Sequence, residues 1–344
     1  MLNINVKQIC ETIFNMKSKI LLTGATGYIG YNIAKQLLQT GYSLRFFVRN
    51  PKDCILGMNA EIITGDIRCY SDVENAVSGC DYVIHAAGLF TFDELRKEEI
   101  YDVNVNGTKN ICEAVKKCNI KRLVYTSSAA TIGKSNASLS DENTKFNLWN
   151  ISSHYKKSKV IAENIVIDYY ERYDIPVIIL NPSLPLGKYD FKPTSTGMMV
   201  KSFLESKKQM YINGGFNFVH VNDVAKSHIL ALSKGRIGEK YIIGNENLLL
   251  RDFYRRLQKY NLDAKIIQIP YGIALFAAWL NTICCYVKGK QPSITHRGVQ
   301  LSKKKMFYNN AKSRNELGVQ YTPIEQAIED SVTWFKCNRY GGHN

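Results

Sequence analysis

Tyr155 and Lys159 stand four residues apart in the stretch SSHYKKSK, Ser152 to Lys159. In a helix that spacing is about one turn, so the two side chains rise along one edge. A lone tyrosine, with an ordinary pKa of about 10, is a poor proton donor or acceptor near neutrality. An ammonium beside it favours the phenolate and lowers that value. A phenol so tuned exchanges a proton with a carbonyl or alcohol oxygen while a hydride moves at the attached carbon.

The helix must present this pair to a ligand. With about 100° per residue, Ser158, Ile161, Ala162, Ile165 and Tyr169 form one stripe that faces a sheet. Tyr155 and Lys159 lie on the edge of that stripe, and Lys156 and Lys157 are expected to point to solvent. A hydroxyl that bonds the reacting oxygen is offered by KRLVYTSS, a strand ending in Thr126, Ser127 and Ser128. Carboxyl ends of parallel strands are where such sheets bind ligands. Spacing alone leaves Ser127 and Ser128 equally placed.

These segments sit in a regular alternation. KILLTG (19–24), SLRFFVRN, AEIITGD, DYVIHAAG, KRLVYTSS and IPVIILNP read as strands. Helical patterns lie between them at 28–40, in SDVENAVSG with Ser71 or Asp72 at its start, up to Cys118, and near 150–173. The alternation predicts an α/β fold of the Rossmann type, a doubly wound parallel sheet with helices on both faces. After Pro182 the elements shorten, with a helix near 196–208 followed by FNFVHV, NDVAKSHILALSKG and KYIIG. The expected organisation is an N-terminal extension over 1–17, a cofactor domain over 18–182 with segments such as 217–245 interleaved, and a substrate region over 183–340.

Between the first strand and the first helix runs TGATGYIG, with Gly24, Gly27 and Gly30 spaced G-x-x-G-x-x-G. Glycines here let backbone approach a pyrophosphate, and the helix start offers free N–H groups and a positive dipole end. Gly24, Thr26, Gly27, Tyr28, Ile29 and Gly30 are the candidate dinucleotide contacts. At the end of the second strand an acidic residue would bind the ribose 2′-hydroxyl, but LRFFVRNP has none. Arg45 and Arg49 are present instead, and Arg49 lies where an adenosine 2′-phosphate would be, so NADP(H) is expected over NAD(H). Asp66 and Ile67 follow the third strand, where Asp66 is placed to accept from the adenine amine. Ala86, Ala87 and Gly88 end the fourth strand with small residues that admit a flat ligand. His85 reads as a packing residue.

Composition narrows the partners. The 45 basic and 30 acidic residues give a net charge of +15. The basic residues are spread out apart from Lys303-Lys304-Lys305, and no nucleic-acid-binding signature is present. A small-molecule substrate and an anionic cofactor suit the sign, and nucleic acid is not expected. Nine cysteines without a C-x-x-C pair, among histidines with no ligand spacing, imply reduced thiols, no metal site and a cytoplasmic setting. The segment preceding the first strand lacks a secretory pattern, and Met16 is a candidate start. The apolar run Gly272 to Val287 is too short to span a bilayer. It reads as a buried helix, or as one that lies on a membrane or lines an apolar substrate site. A peripheral membrane contact and a homodimer stay open.

Taken together, TGATGYIG, GDI, HAAG, NVNGT, TSSA, YKKSK and VHVNDVA resemble, in order and separation, the extended short-chain dehydrogenase/reductase family. That resemblance covers nearly the whole chain. It implies Ser128 as the catalytic serine, Tyr155 as the acid/base and Lys159 as its partner on the nicotinamide ribose. It also implies Thr126 and Pro182 beside the nicotinamide, Asn104 as a structural support, and Asp223 as the cap of the following helix. Nucleotide-sugar epimerases of the family carry Arg-Asp where this chain has Phe216-Asn217, and a polar asparagine where it has Leu184. VRNP is similar to the dihydroflavonol-4-reductase-like branch, and NPSLPLGKYDFKPTSTG and later segments to proteins called hopanoid-associated sugar epimerases. The expectation is an NADP(H)-dependent oxidoreductase acting on a carbonyl or alcohol of a largely apolar, isoprenoid-linked substrate. The alternatives are a sugar epimerase or dehydratase using the same three residues, and a cofactor-sensing protein without turnover.

Overall fold

The computed structural model describes residues 18–91, 93–135, 139–287 and 296–338. The expected extension over 1–17 and the candidate start at Met16 lie outside the described residues. Seven strands build the main sheet: β1 (Lys19–Thr23), β2 (Ser43–Val48), β3 (Glu61–Thr64), β4 (Tyr82–His85), β5 (Arg122–Thr126), β6 (Val177–Pro182) and β7 (Lys240–Ile243). They run parallel in the order β7-β6-β5-β4-β1-β2-β3. The order reverses between β1 and β4, and a crevice opens beyond the carboxyl ends of such strands.

Alternate residues of each strand feed opposite faces of the sheet. Ile20 and Leu22 of β1 enter one core with α1 (Tyr28–Leu37) and α4 (Val221–Lys234). Leu21 enters the other, with α2 (Gly107–Lys117) and α3 (His154–Tyr173). Covering both faces explains why the strands are nearly continuous runs of apolar residues. Helix α1 stops at Leu37 rather than near residue 40, because Gln39 and Thr40 turn back onto the Gln36 and Leu37 carbonyls.

After Pro182 the chain forms a second sheet. Its central strand, Gly215–His220, pairs with Leu184–Leu186, Glu246–Leu249 and Lys305–Met306. A third core lies beneath it, where Phe218 stacks on Phe253 at 4.4 Å.

Two expected caps differ. The helix Tyr70–Val77 begins one residue before Ser71, and the Asp72 carboxylate instead accepts the Asp66 N–H at 2.9 Å. At α4 the cap is His220, whose ring accepts the Asn222 N–H at 3.0 Å. Asp223 sits inside the helix and binds the Thr322 N–H and hydroxyl at 2.7 and 2.9 Å, tying down the C-terminal segment.

Candidate active site

The loop after β1 is a cradle that side chains would fill. Gly24 has φ +75°, and a Cβ there would meet the Ala87 backbone at 2.7 Å. A Cβ on Gly30 would come within 2.1 Å of the Gly24 carbonyl oxygen, whereas one on Gly27 would sit 3.3 Å from it. Gly24 and Gly30 therefore allow β1, β4 and α1 to close on each other. Gly27 is exposed and caps α1 without a side-chain bond, and no acidic residue stands in the first turn. The N–H groups from Tyr28 to Gly30 lack helical partners, and the dipole end is unopposed. These residues fit a pyrophosphate. Burial and the Asp190 and Asp330 carboxylates hold the Tyr28 phenol in its neutral form.

At the adenosine end the two arginines separate. The Arg45 guanidinium is buried on Glu61 at 2.9 Å and on the Ala76 and Ser78 carbonyls, so it is structural. Arg49 has an exposed side chain and only a 4.0 Å ion pair with Glu99. Asp66, placed from sequence at the adenine, grips Arg68 through both oxygens at 2.6 and 3.0 Å. That bond holds the Asp66 carboxyl below its usual range. Ile67 packs against Gly107 of α2, where a Cβ would meet it at 3.0 Å.

A hydrogen-bond chain fixes the end of β4. The Thr23 hydroxyl accepts the Ala87 N–H at 3.1 Å and lies 2.8 Å from His85 Nδ1. His85 Nε2 lies 3.3 Å from the Thr108 hydroxyl, which donates to the Asn104 carbonyl at 2.6 Å. The chain closes with one tautomer, Nε2–H, each hydroxyl donating once. Burial pushes His85 down to about 3, so it is a neutral strut as expected. Ala86 and Ala87 leave this strand end flat. Asn104 bridges Leu89 and the Ser158 hydroxyl, at 3.0 and 2.9 Å. It thereby joins the loop after Gly88 to α3.

The adjacent serines diverge. The Ser127 hydroxyl is buried and donates to Glu163. The Ser128 hydroxyl accepts the Ala130 N–H at 3.1 Å and is hydrogen-bonded to Tyr155. The strand alternation puts one hydroxyl inside and the other at the mouth. Of the two serines, Ser128 is the one bonded to Tyr155. The Phe90 ring meets Tyr155 edge-on at 4.7 Å.

Lys159 departs from expectation. Its ammonium is buried and donates to the Thr126 carbonyl at 2.8 Å and to Tyr125 Oη at 3.0 Å. Burial lowers it to about 8, against the opposing pull of Glu163. Tyr155 is not lowered: burial raises the phenol to about 12, and the Ser128 bond recovers only part of that. The ammonium is committed to the end of β5 rather than to the phenol, so desolvation wins.

Of the expected stripe on α3, Ser158, Ala162 and Tyr169 are buried, but Ile161 and Ile165 are only half-buried, and Lys159, Glu163 and Val166 are buried beside them. Lys156 is half-buried too, and burial lowers its ammonium to about 8. It does not point into open solvent, because helix Lys97–Tyr101 and the turn Ala129–Thr131 flank the start of α3. Thr126 borders the site through its carbonyl, while its hydroxyl turns away to His228 at 2.8 Å. Pro182 is buried at the end of β6.

Three residues escaped sequence reading. Glu163 gathers Ser127, Thr131 at 2.8 Å, Asn181 at 2.7 Å and Lys240 at 3.3 Å. A buried carboxylate needs that many donors. Its i+4 spacing from Lys159 was a usable signal. Phe90, two residues beyond Gly88, and Arg68, two beyond Asp66, lay just past recognised strand ends.

The family model described as the NAD dependent epimerase/dehydratase family matches residues 20–244. A Synechocystis sp. protein provisionally named dihydroflavonol 4-reductase is 33% identical, over 94% of this chain and 96% of that protein. A Methylococcus capsulatus protein named sterol demethylase protein B is 28% identical, over 92% of this chain and 98% of that one. The crystal structure of gox2253 superposes with a TM-score of 0.82 at 33% identity, over 94% of this chain and 98% of that one.

Proposed function

Because the chain belongs to the NAD dependent epimerase/dehydratase family and is an enzyme of its NAD(P)-dependent oxidoreductase/epimerase type, we propose that it reduces a carbonyl on a largely apolar substrate with NADP(H). The observation that carries this reading is the setting of Tyr155. Its phenol is protonated at neutral pH, bonded to Ser128, and covered on one side by the ring of Phe90, itself 43% exposed.

A protonated phenol can give its proton to the carbonyl oxygen as hydride addition turns that oxygen into an alkoxide, a stronger base than the phenolate left behind. When bound, the nicotinamide supplies the hydride to the carbonyl carbon. Tyr155 then gives its proton to the oxygen, and Ser128 holds that oxygen in line. Lys159 spends two of its three N–H donors on β5, which leaves a third for a ribose hydroxyl. Glu163, one turn below, balances the buried ammonium.

Support for an apolar substrate comes from the second sheet. Where sugar-nucleotide epimerases place a phosphate-gripping arginine, Phe216 packs half-buried against the third core. Asn217 is buried, and its amide donates to Asn247 at 2.8 Å. The names of the two relatives above, which concern a flavonoid and a sterol, point the same way. Support for NADP(H) comes from Arg49 and Arg68 standing together at the end of β2 and β3 without a ribose-binding carboxylate on β2. The test is net oxidation of NADPH during turnover. A sugar epimerase recycles its cofactor, and sustained conversion without net oxidation contradicts the proposal.

A further inference from the structure

The helix α5 (Tyr271–Val287) is amphipathic the wrong way round for a soluble protein. It packs on the protein through small residues: Ala274 and Ala278 are buried against Val299 of the helix α6 (His296–Ser302). Its large residues face outward, with Ile273 and Phe276 each 59% exposed and Trp279 55% exposed, beside Leu280 and Ile283. On a helix these five fall within one arc of about 120°, opposite the alanines. Phe276 and Trp279 stack at 6.0 Å and form its centre. A contiguous outward face of this kind marks an interaction surface. The helix has 17 residues, and no helix among the described residues is long and apolar enough to cross a membrane.

What covers it is indicated by the charge alongside. Lys303 lies 4.3 Å from the ring of Tyr271, the first residue of α5. With Lys134, Lys304 and Lys305 it lines a cleft of about 410 Å³ that Tyr271, Gln300 and Ile151 complete, with no carboxylate among the lining residues. A second copy of this chain would bring the same lysines together, on a molecule already carrying +15. An apolar face with a lysine cleft at the first turn of its helix instead matches the boundary of an anionic bilayer, where acyl chains and phosphate headgroups meet both requirements. We infer that α5 lies flat in the surface of an anionic lipid bilayer, with Phe276 and Trp279 among the acyl chains and the lysine cleft on the headgroup phosphates.

The inference stands apart from the proposed reaction, since the surface contains none of the residues around Tyr155. Ile151, which lines the lysine cleft, lies four residues before Tyr155 in the sequence.

Flotation of the full chain with vesicles tests it, using phosphatidylcholine alone and phosphatidylcholine with about a third phosphatidylglycerol. The expected result is at least tenfold stronger partition to the anionic vesicles. Phe276→Ser with Trp279→Ser should abolish partition while the melting temperature and NADPH binding hold. Should that double variant misfold, Lys303→Ala with Lys304→Ala and Lys305→Ala gives the independent reading, loss of the anionic preference. No partition to anionic vesicles overturns the inference. So does partition that neither variant changes, or a dimer in sedimentation velocity that the apolar double variant dissolves.

Discussion

The ammonium of Lys159 lies 2.8 Å from the carbonyl oxygen of Thr126, the last residue of β5. This bond, rather than contact with the phenol of Tyr155, sets where the lysine sits. Lys159→Met should therefore disturb the end of β5 and the ribose side of the site together. The expected outcome is weaker NADPH binding, by about tenfold or more, alongside lower turnover. Fluorescence titration of NADPH checks it, and unchanged affinity with lost turnover would return Lys159 to a purely electrostatic role.

The pH dependence of stability follows from the two buried lysines. Burial lowers both Lys156 and Lys159 to about 8 in the folded state, against about 10.4 for an unfolded lysine. Between those values the unfolded chain binds more protons, so unfolding free energy rises with pH from about 8 to about 10. Below pH 8 both states are protonated and the burial penalty is fully present. Above pH 10 Tyr155, raised to about 12, reverses the trend, because the unfolded phenol loses its proton first. Urea melts at pH 7.5 and pH 9.5 should show Lys156→Met gaining less on this rise than the parent, a contrast set by that single depressed value. Equal gains would show that Lys156 titrates normally.

Ser127 and Ser128 should separate stability from chemistry. Ser127→Ala leaves Glu163 short of one donor, which costs ~1–3 kcal/mol of stability with little change in turnover. Ser128→Ala should lower turnover by about 10²-fold or more while the fold holds, since its hydroxyl bonds Tyr155 rather than the core. Thermal melts and kcat measured on the same preparations distinguish the two.

Much of this was legible in the chain because it rests on periodicity. Strand alternation and the glycine spacing predict the parallel sheet and the cradle at Gly24 and Gly30, since each needs only a local pattern. What the pattern hid was polar burial. Lys159 and Glu163 occupy buried positions of α3 that a hydrophobic count assigns to Ile161 and Ile165. The count fails because long-range partners satisfy those charges, acceptors on β5 for Lys159 and donors on β6, β7 and the turn after β5 for Glu163. The lowering of Tyr155 also failed, since sequence spacing places two groups on one edge without showing that one of them is bonded elsewhere. Asp223, read as a cap, binds Thr322 across 99 residues of sequence, which no local rule reaches.

In the proposed function, cofactor choice turns on the exposed arginines. NADPH should bind more tightly than NADH, and Arg49→Ala should narrow the gap by about tenfold or more, the worth of one charge-assisted bond. Arg68→Ala tests the second cation and frees Asp66 as well. Parallel titrations with both cofactors check these, and equal affinities in the parent protein would remove the assignment.

The central claim is that Tyr155 is the proton donor of a net carbonyl reduction. The most direct measurement follows NADPH absorbance over a panel of apolar ketones and aldehydes, with the parent and Tyr155→Phe side by side. The account predicts substrate-dependent, net NADPH oxidation by the parent. It predicts loss of about 10²-fold or more in Tyr155→Phe, with NADPH affinity unchanged. Turnover that survives in Tyr155→Phe would contradict it.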